Sequence, residues 1–373
     1  MNNNPRLLHL QIIQSLKKSI EDNTYRQGDL FPPEIELAAK FGVSRGTIRK
    51  AMKALVDEGI LTRIPGKGTF IQSEGVKSTP EARACLIGIV VLHMNDPYGA
   101  AIVSGAERVA RQKGYSLIFC NLDEHLEVEA EHFERLINHR VSGVALFPLA
   151  LPGELELVET LCDAEIPIVL IDRQIPGLTL TTIMSDNYGG AYQAVKHLLD
   201  LGHERIACIT VPDHPSSVDD RIRGYEQAMR DAGLLPYAAV PMHTLNVYGQ
   251  DPGFPVEVNI EDSHWVEHMF AVKAPPTAVF CINDYIATTV MRLANARGLR
   301  VPQDLAIVGF DNNPYSQLAP TPLTTVAQPT IEIGARAIEA LLERIDGSCT
   351  TEELIYLPTT MVMRSSTRSL GQL

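Results

Sequence analysis

The stretch PTAVFCINDYIATTVMRLANARGLRVPQDLAIVGFDN, residues 276–312, decides the fold. Two short apolar runs, AVFCI at 278–282 and LAIVGF at 305–310, flank a segment in which apolar residues recur at helical spacing. That segment ends at Gly298, and glycine is the residue expected just after a helix. A strand, a helix and a second strand in this order predict two parallel strands of one sheet, joined by a crossover helix.

The same alternation continues through most of the chain. Five more apolar runs of strand length are LIGIVVL (86–92), SLIFC (116–120), GVALF (143–147), PIVLI (167–171) and IACITV (206–211). Helix-like segments such as GAYQAVKHLLDLG lie between them. Because the stretch is long for one open sheet, we predict an α/β architecture of two parallel sheets, each covered by helices, with a cleft between them.

Charge is distributed unevenly along the 373 residues. Residues 1–72 hold 11 Lys+Arg and 7 Asp+Glu, which gives them a net charge of +4. The formal net charge of the whole chain is −13, so residues 73–373 carry a net charge of −17. A small basic domain therefore precedes a large acidic one, which suits contact of the first with nucleic acid. No apolar run approaches the length of about 20 residues that a membrane span needs, and no signal peptide is evident. We expect a cytoplasmic protein with no membrane contact.

The pattern GVSRG, residues 42–46, matches the serine-hydrolase motif G-x-S-x-G. That motif requires a strand before the serine, whereas EIELAAKF has the apolar spacing of a helix. Ser44 instead stands where the next helix begins, and it is suited to cap that helix. Arg45, Arg49 and Lys53 then share an exposed face, with Lys50 alongside. Two helices joined by a short turn, the second of them basic, predict a helix-turn-helix.

The segment ILTRIPGKGTFI at residues 60–71 predicts a β-hairpin with Lys67 at its tip. It is not a nucleotide-binding loop, because Gly68 follows the lysine where serine or threonine is required. GVSRGTIRKAMKALVDEG together with GKGTF resembles the winged helix-turn-helix of the GntR family of bacterial transcription regulators. The resemblance implies that Arg45 and Arg49 read base edges, while other side chains hold the DNA backbone or groove. The predicted DNA-binding residues are Ser44, Arg45, Thr47, Arg49, Lys50 and Lys67.

Polar side chains follow several of the predicted strands directly. They are His93 to Tyr98 after the first run, Asp172-Arg173 after PIVLI, Asn283-Asp284 after AVFCI and Asp311-Asn312 after LAIVGF. Ligands of parallel α/β sheets bind beyond the carboxyl ends of the strands. Carboxylates and amides beside an arginine can accept from and donate to the hydroxyl groups of a polyol. Asn283 as only a helix cap, and Asp311 as only part of a turn, are the simpler alternatives.

Several long motifs resemble the effector-binding domain of the LacI/GalR family. They are IMSDNYGGAYQAVKHLLDLGHERIACI (183–209), DDRIRGYEQAMRDAGL (219–234), residues 276–312 and TPLTTVAQP (321–329). The resemblance implies two Rossmann-like subdomains related to periplasmic sugar-binding proteins, three crossovers, and dimerisation through this domain. A GntR-type domain joined to such a body is similar to arabinose-type repressors. The effector contacts implied by the resemblance are Tyr98, Arg221, Asn283, Asp311 and Gln328.

The predicted organisation is a winged helix-turn-helix domain at 1–72, a linker at 73–84, a bilobed effector-binding domain at 85–363 and a C-terminal tail at 364–373. Ser216 and Ser217, and the segment 236–265 with Trp265, are further candidates for the cleft. We predict no cofactor and no metal, because His264 and His268 lack the glutamate of a zinc motif. The six scattered cysteines suit reduced thiols rather than a disulfide framework.

The leading hypothesis is a repressor that binds a palindromic operator as a homodimer and responds to a small sugar. The same architecture sensing a purine or a sugar phosphate, as a co-repressor, stays open as an alternative. A solute-binding protein for transport is a second alternative, although it would need export. An enzyme is not predicted, since the hydrolase, dinucleotide and nucleotide-loop motifs all fail.

Overall fold

The computed structural model describes residues 12–13, 15–20, 25, 29–57, 60–64, 68–71, 85–94, 96–122, 125–211, 215–236, 240–241, 269–270 and 272–370. The chain divides into two compact units, Met1–Ala82 and Arg83–Leu373. The domain bounds predicted at 72 and 84 are finer than this division, and they stay a prediction.

The smaller unit contains a helix-turn-helix followed by a hairpin. Its elements are α1 Glu34–Phe41, α2 Arg45–Asp57, β1 Leu61–Ile64 and β2 Gly68–Ile71. Helix α1 ends at Gly42, whose φ of 63° is left-handed and costs a glycine little. The core of the unit contains the fully buried side chains of Leu16, Leu37, Ile48 and Leu55. Burying each such side chain is worth about 1.5–3 kcal/mol, which holds the two helices together.

The hairpin that follows α2 is antiparallel, and Leu61 pairs with Ile71 at its open end. A third backbone segment joins it, since Leu30 bridges Phe70 and the N–H of Phe31 donates to the carbonyl oxygen of Thr69 at 2.6 Å. The predicted helix-turn-helix with its wing is confirmed. Lys67, predicted at the tip of the wing, lies outside the described residues.

The larger unit alternates strands and helices. Its strands are β3 Leu86–Val91, β4 Ser116–Asn121, β5 Gly143–Leu146, β6 Ile168–Ile171, β7 Thr182–Ser185, β8 Ile206–Thr210, β9 Val240–Pro241, β10 Ala278–Cys281, β11 Ala306–Asp311, β12 Thr324–Ala327, β13 Leu354–Leu357 and β14 Thr360–Val362. Its helices are α3 Pro97–Gln112, α4 Leu126–Asn138, α5 Glu154–Asp163, α6 Asn187–Asp200, α7 Ser216–Asp231, α8 Asp284–Ala296 and α9 Thr330–Ile345. A short 3-10 turn covers Pro314–Gln317.

These strands form two six-stranded sheets. The order in the first is β13-β7-β6-β5-β3-β4, and the order in the second is β14-β12-β11-β10-β8-β9. All pairings are parallel except that of β12 with β14. Each sheet has its own buried apolar cluster, so the unit consists of a first lobe and a second lobe. The predicted bilobed α/β architecture is confirmed.

The chain passes between the two lobes three times. It leaves the first lobe after β7, since α6 packs on α7 of the second lobe. It returns after β12, because α9 packs on α3 and on the first sheet. The third passage is the short connection from β13 to β14. The first lobe therefore contains the beginning of the unit together with β13, and the second lobe contains the middle of the unit together with β14. The two lobes are joined by these three connections.

The segment after β14 packs into the second lobe. Ser366 is fully buried, and its backbone oxygen accepts from the N–H of Ile307 at 2.8 Å. Its hydroxyl donates to the carbonyl oxygen of Ile307 at 2.6 Å. Further along, the N–H of Leu370 donates to the carbonyl oxygen of Leu201. The sequence suggested a tail in this region, whereas residues 364–370 contribute to the packed lobe.

In the parts of the chain that the structure describes, no helix is both long enough and apolar enough to cross a membrane.

Candidate functional site

Tyr98 lies at the start of α3, where the chain comes from the carboxyl end of β3. Its hydroxyl donates to Oδ1 of Asp172 at 2.5 Å and lies 3.2 Å from Oε1 of Gln328. Asp172 comes directly after β6, and Gln328 comes directly after β12. Side chains that follow strands of both lobes therefore meet in one place. This is the edge at which parallel sheets bind ligands.

Gln328 sits at a passage between the lobes and is bonded on both sides. Its Oε1 accepts from the hydroxyl of Ser185 at 2.6 Å, and Ser185 is the last residue of β7 in the first lobe. Its Nε2 donates to Oδ1 of Asp311 at 2.7 Å, and Asp311 is the last residue of β11 in the second lobe. One amide thus connects the two lobes through polar groups at the cleft.

Arg221, on α7, is 5% exposed and fixed from several directions. Its Nε donates to Oδ1 of Asn187 at 2.8 Å, and its Nη1 donates to the carbonyl oxygen of Ile282 at 2.6 Å. The guanidinium lies 4.0 Å from the ring centroid of Phe310, a cation–π geometry. Its Nη1 is also 3.6 Å from Oδ1 of Asp311. These contacts fix the orientation of the guanidinium group, so the direction of its remaining N–H donors is fixed as well.

A second arginine and carboxylate pair faces the first from the other lobe. Arg173 Nε is 3.3 Å from Oδ2 of Asp172, and its guanidinium lies 4.8 Å from the ring centroid of Phe147. Phe147 follows β5 and makes an edge contact with Tyr98. Ser217, from the second lobe, donates to Oδ2 of Asp172 at 3.2 Å. These contacts therefore bridge the two lobes at the cleft.

Burial changes the acid–base properties of the cleft. It raises the pKa of Asp311, while the positive charge of Arg221, 3.6 Å from Oδ1, and the hydrogen bond from Gln328 lower that pKa and favour the ionised carboxylate. It also raises the pKa of Tyr98, and the charge of Asp172 adds to the increase. The tyrosine hydroxyl therefore keeps its proton at neutral pH and acts as a donor. Carboxylates that accept and guanidinium groups that donate can together bind several hydroxyl groups of one ligand.

Asn283 follows β10, directly after Ile282, and it caps helix α8. Its Oδ1 accepts from the N–H of Ile286 at 2.8 Å, as the simpler alternative for this residue required. The structure therefore brings Tyr98, Arg221, Asp311 and Gln328 into one network. It places Asn283 beside that network with its side-chain oxygen already used.

The sequence analysis did not include several members of this network among the site residues. Asp172 and Arg173 were recognised as polar residues after a strand, and Ser217 was only a further candidate. Asn187, fully buried at the start of α6, was missed because it follows β7, a strand that the apolar pattern did not reveal. Most of the segment 236–265, including Trp265, and the histidines at 264 and 268 lie outside the described residues. Within the described residues no group of three His, Cys, Asp or Glu could hold a metal ion.

Apart from Lys67, which lies outside the described residues, the predicted DNA-binding residues lie on and directly before α2. The N–H of Thr47 donates to the hydroxyl of Ser44 at 3.2 Å, so Ser44 caps the helix. The two hydroxyl groups of these residues are 2.9 Å apart. Arg45 and Lys50 are exposed, as expected of side chains that contact DNA. These residues share the surface at the start of the second helix, the part of a helix-turn-helix that enters the major groove.

Arg49 is exposed but not free. Its Nε and Nη2 donate to the carboxylate of Glu34 at 3.2 Å and 3.1 Å. Glu34 is the first residue of α1, so the carboxylate joins the two helices of the motif. One edge of the guanidinium is occupied, and Nη1 remains available to a base.

A helix-turn-helix unit followed by a bilobed unit with a polar cleft defines a transcription regulator controlled by a ligand. Comparison with known proteins supports this class. Residues 8–71 match the family model for bacterial regulatory proteins of the gntR family, and residues 195–367 match the model for the periplasmic binding protein-like domain. The two matches fall within the two units of the chain.

The chain is 30% identical to the arabinose metabolism transcriptional repressor of Geobacillus stearothermophilus, over 97% of this chain and 98% of that protein. It is also 30% identical to the transcriptional repressor CytR of Escherichia coli K12, over 88% of this chain and 89% of the relative. Among solved structures, the LacI family regulator of Enterococcus faecium with bound ribose is similar, with a TM-score of 0.62 and 26% identity. That match covers 76% of this chain and 99% of the other. The chain belongs to the family of bacterial transcriptional repressors that join a GntR-type helix-turn-helix to a periplasmic-binding-protein-like domain, and not to an enzyme family.

Proposed function

We propose that this protein is a transcriptional repressor whose affinity for operator DNA is controlled by a neutral monosaccharide bound between the two lobes. The contacting residues in the proposal are Tyr98, Asp172, Arg173, Arg221, Asp311 and Gln328, with Asn283 beside them. If the ligand binds one arrangement of the lobes more tightly than another, it shifts the protein toward that arrangement. The affinity for DNA changes when the two arrangements bind DNA differently. A regulator that reads operator DNA acts in the cytoplasm of a bacterium.

The observation that supports a neutral ligand is the pairing of charges in the cleft. Arg221 lies 3.6 Å from Asp311, and Arg173 lies 3.3 Å from Asp172. Each positive charge has a carboxylate partner, so no guanidinium is left to compensate a phosphate or a carboxylate of the ligand. The four side chains still offer donors and acceptors at fixed positions. Hydroxyl groups of a sugar can use both kinds without bringing in a charge.

Relatives support the choice of sugars, and of pentoses first among them. The regulator from Enterococcus faecium was solved with bound ribose, and the full-length relative from Geobacillus stearothermophilus is named for arabinose metabolism. The alternative effectors, a purine or a sugar phosphate, would each need a different set of partners. A purine would need a flat aromatic contact, and a sugar phosphate would need a cation without a carboxylate partner.

The test is thermal unfolding of the purified protein with pentoses, hexoses, sugar acids, polyols, purines and sugar phosphates. A ligand present at 100 times its Kd stabilises the folded state by about 2.7 kcal/mol, which is a readily measured shift. We expect one neutral sugar to give that shift, and we expect Arg221→Ala and Asp311→Ala to abolish it. Arg223→Ala, an exposed arginine on the same helix, is the matched control and should keep the response.

Each outcome of the panel has its own meaning. A shift with a purine or a sugar phosphate alone would keep the regulator and reject the sugar. No shift with any compound, in protein that unfolds cooperatively, would reject the cleft as the site of these ligands.

The remaining part of the proposal concerns DNA. The protein acts as a homodimer whose two helix-turn-helix units bind the half-sites of a palindromic operator. Lys67 in the wing, with Ser44 and Thr47, would hold the DNA backbone, while Arg45 and Arg49 would read base edges. Sedimentation of the protein with and without operator DNA measures how many chains the free protein and the DNA complex contain. A monomer bound to one half-site would contradict it.

A further inference from the structure

The cleft carboxylate of Asp311 is attached to a backbone turn of unusual conformation. Asp311 has φ 112° and Asn312 has φ 54°, values that non-glycine residues rarely adopt. Such conformations cost about 1–3 kcal/mol each, and they persist only where surrounding contacts impose them. Some group outside the turn must therefore hold it.

Arg364 makes the contacts that hold this turn. Its Nη2 donates to Oδ1 of Asn312 at 2.6 Å, and its Nη1 donates to the carbonyl oxygen of Leu323 at 2.6 Å. Nη1 is also 3.3 Å from the hydroxyl of Ser316. The arginine comes from the segment after β14, more than 50 residues further along the chain than the turn. Three acceptors on three positions fix its guanidinium, and through it the side chain of Asn312.

A buried carboxylate completes the cluster from the other side. Asp284, 2% exposed, accepts from the hydroxyl of Thr325 at 2.5 Å and from the N–H of Asn313 at 2.7 Å. Burial raises its pKa to about 7, and the positive charge of Arg364 opposes the increase. The turn is thus held at Asn312 by the arginine and at Asn313 by the carboxylate. Asn312 and Asn313 directly follow Asp311, the residue whose carboxylate lies in the cleft.

We propose that Arg364 is a positioning residue for effector recognition, which holds Asn312 and thereby fixes the carboxylate of Asp311 in the cleft. This inference rests on the proposed function, because it assigns Arg364 to the binding of the same ligand. It adds to the site a residue of the segment after β14, which does not follow any of the parallel strands that end at the cleft. A matched control lies on that segment, since Arg368 donates to the carbonyl oxygen of Gln303 and, among the described residues, makes no side-chain hydrogen bond to the turn.

The first experiment uses the ligand-free protein. Hydrogen exchange of the amides of residues 312 and 313 is compared in Arg364→Lys, Arg364→Met and Arg368→Met. We expect exchange at these two amides to accelerate in both Arg364 variants and to stay at the wild-type rate in Arg368→Met. Unchanged exchange in folded Arg364→Met would overturn the proposal, whether or not a sugar has been found.

The second experiment measures the Kd of the sugar that the panel identifies. We expect Arg364→Lys to weaken binding by about tenfold, equivalent to about 1.4 kcal/mol, because the donors of an ammonium all lie on one nitrogen and cannot take the positions of both Nη1 and Nη2. Arg368→Met should bind as tightly as wild type. If the role of Arg364 is only to stabilise the lobe, the loss of affinity should follow the loss of thermal stability in all variants alike.

A double-mutant cycle with Asn312→Gly separates the two roles. Glycine adopts φ 54° without cost but offers no acceptor to Arg364. If Arg364 acts through Asn312, Arg364→Lys should weaken binding much less in the Asn312→Gly background than in wild type. Additive effects on Kd would contradict the proposal. If wild type binds no sugar of the panel, the proposed function fails, while hydrogen exchange still decides whether Arg364 positions the turn.

Discussion

At the scale of single residues, the first lobe contains two carboxyl groups buried together. Glu129 of α4 is 0% exposed and Glu154 of α5 is 1% exposed. The oxygens of Glu154 accept from the N–H groups of Leu149 and Ala150, both at 2.6 Å. Among the described residues, no group donates to either oxygen of Glu129. Burial raises the pKa of Glu129 to about 9, and the charge of Glu154 adds to the shift. Glu129 is therefore protonated at neutral pH.

This protonation predicts a pH dependence of stability. Glu129 holds its proton up to about pH 9 in the folded chain, but only to about its ordinary value of 4.5 when unfolded. The folded state then binds more protons between these values, so its contribution to stability falls as the pH rises through that window. Glu129→Gln should remove this dependence.

Thermal unfolding at pH 5 and pH 8 measures the effect. Relative to wild type, Glu129→Gln should gain about 4 °C or more on going from pH 5 to pH 8, since one pH unit of unequal proton binding is worth about 1.4 kcal/mol. Glu127→Gln, an exposed glutamate two residues earlier on the same helix, is the control. Parallel pH profiles for wild type and Glu129→Gln would show that Glu129 is ionised in the fold.

A second prediction at this scale concerns the arginine that is expected to read DNA. Glu34 occupies one edge of the Arg49 guanidinium and restricts its orientation. Arg49→Ala should weaken operator binding by about 1–3 kcal/mol.

Glu34→Gln removes a negative charge that repels phosphate, and it also frees the side chain of Arg49. Binding to random DNA should therefore strengthen, while the preference for the operator should fall. Fluorescence anisotropy with an operator selected from a random library measures both, and Glu36→Gln is the exposed control. Loss of affinity for both DNAs in equal proportion would contradict a positioning role for Glu34.

At the scale of elements, helices α3 and α9 pack with their backbones in contact. A Cβ at Gly105 would overlap the carbonyl oxygen of Ile331, and a Cβ at Gly334 would overlap the carbonyl oxygen of Ile102. The two glycines thus accommodate each other's helix reciprocally. Helix α9 begins at Thr330, directly after Gln328 and Pro329. The packing of α9 on α3 therefore fixes the position at which the connection from β12 enters the first lobe.

Gly105→Ala and Gly334→Ala test that packing. Each methyl group has to push backbone away rather than a flexible side chain, so each variant should lose about 1–3 kcal/mol of stability or more. Chemical denaturation measures the loss. Ser104→Ala, exposed on the same helix, should be close to neutral. If both glycine variants keep the wild-type stability, the close approach of the two helices is wrong.

At the scale of the whole molecule, the chain has separate cores. The smaller unit contains its own buried cluster around Ile48 and Leu55, while the two lobes contain the clusters of the larger unit. The residues proposed to bind the sugar all belong to the larger unit. Calorimetry of the full chain should therefore show more than one transition, and the sugar should raise the transition of the larger unit alone. A single transition that shifts as a whole would show that the units unfold together.

Much of this arrangement was predictable from local sequence. Apolar runs of strand length revealed seven strands, because strands buried on both faces consist of nearly continuous apolar residues. Basic residues at helical spacing after Gly42 revealed the recognition helix. The strands β7, β9, β12, β13 and β14 escaped, because β7, β12 and β14 contain threonines, β9 has only two residues, and β13 is an edge strand with Leu354 and Tyr356 exposed. Four of them, β7, β12, β13 and β14, border the passages between lobes, so the sequence pattern was weakest where the lobes are joined.

The sequence by itself determined that Tyr98 and Asp311 follow predicted strands, and its resemblance to the LacI/GalR family identified Tyr98, Arg221, Asp311 and Gln328 as candidates. Only the tertiary structure decided which of these touch. Tyr98 and Gln328 are 230 positions apart and meet because the chain returns to the first lobe after β12. Arg364 reaches Asn312 because the last segment packs beside β11 and β12. Spacing along a chain encodes local geometry, whereas contacts between distant segments depend on strand order and on the three passages, which no local pattern specifies.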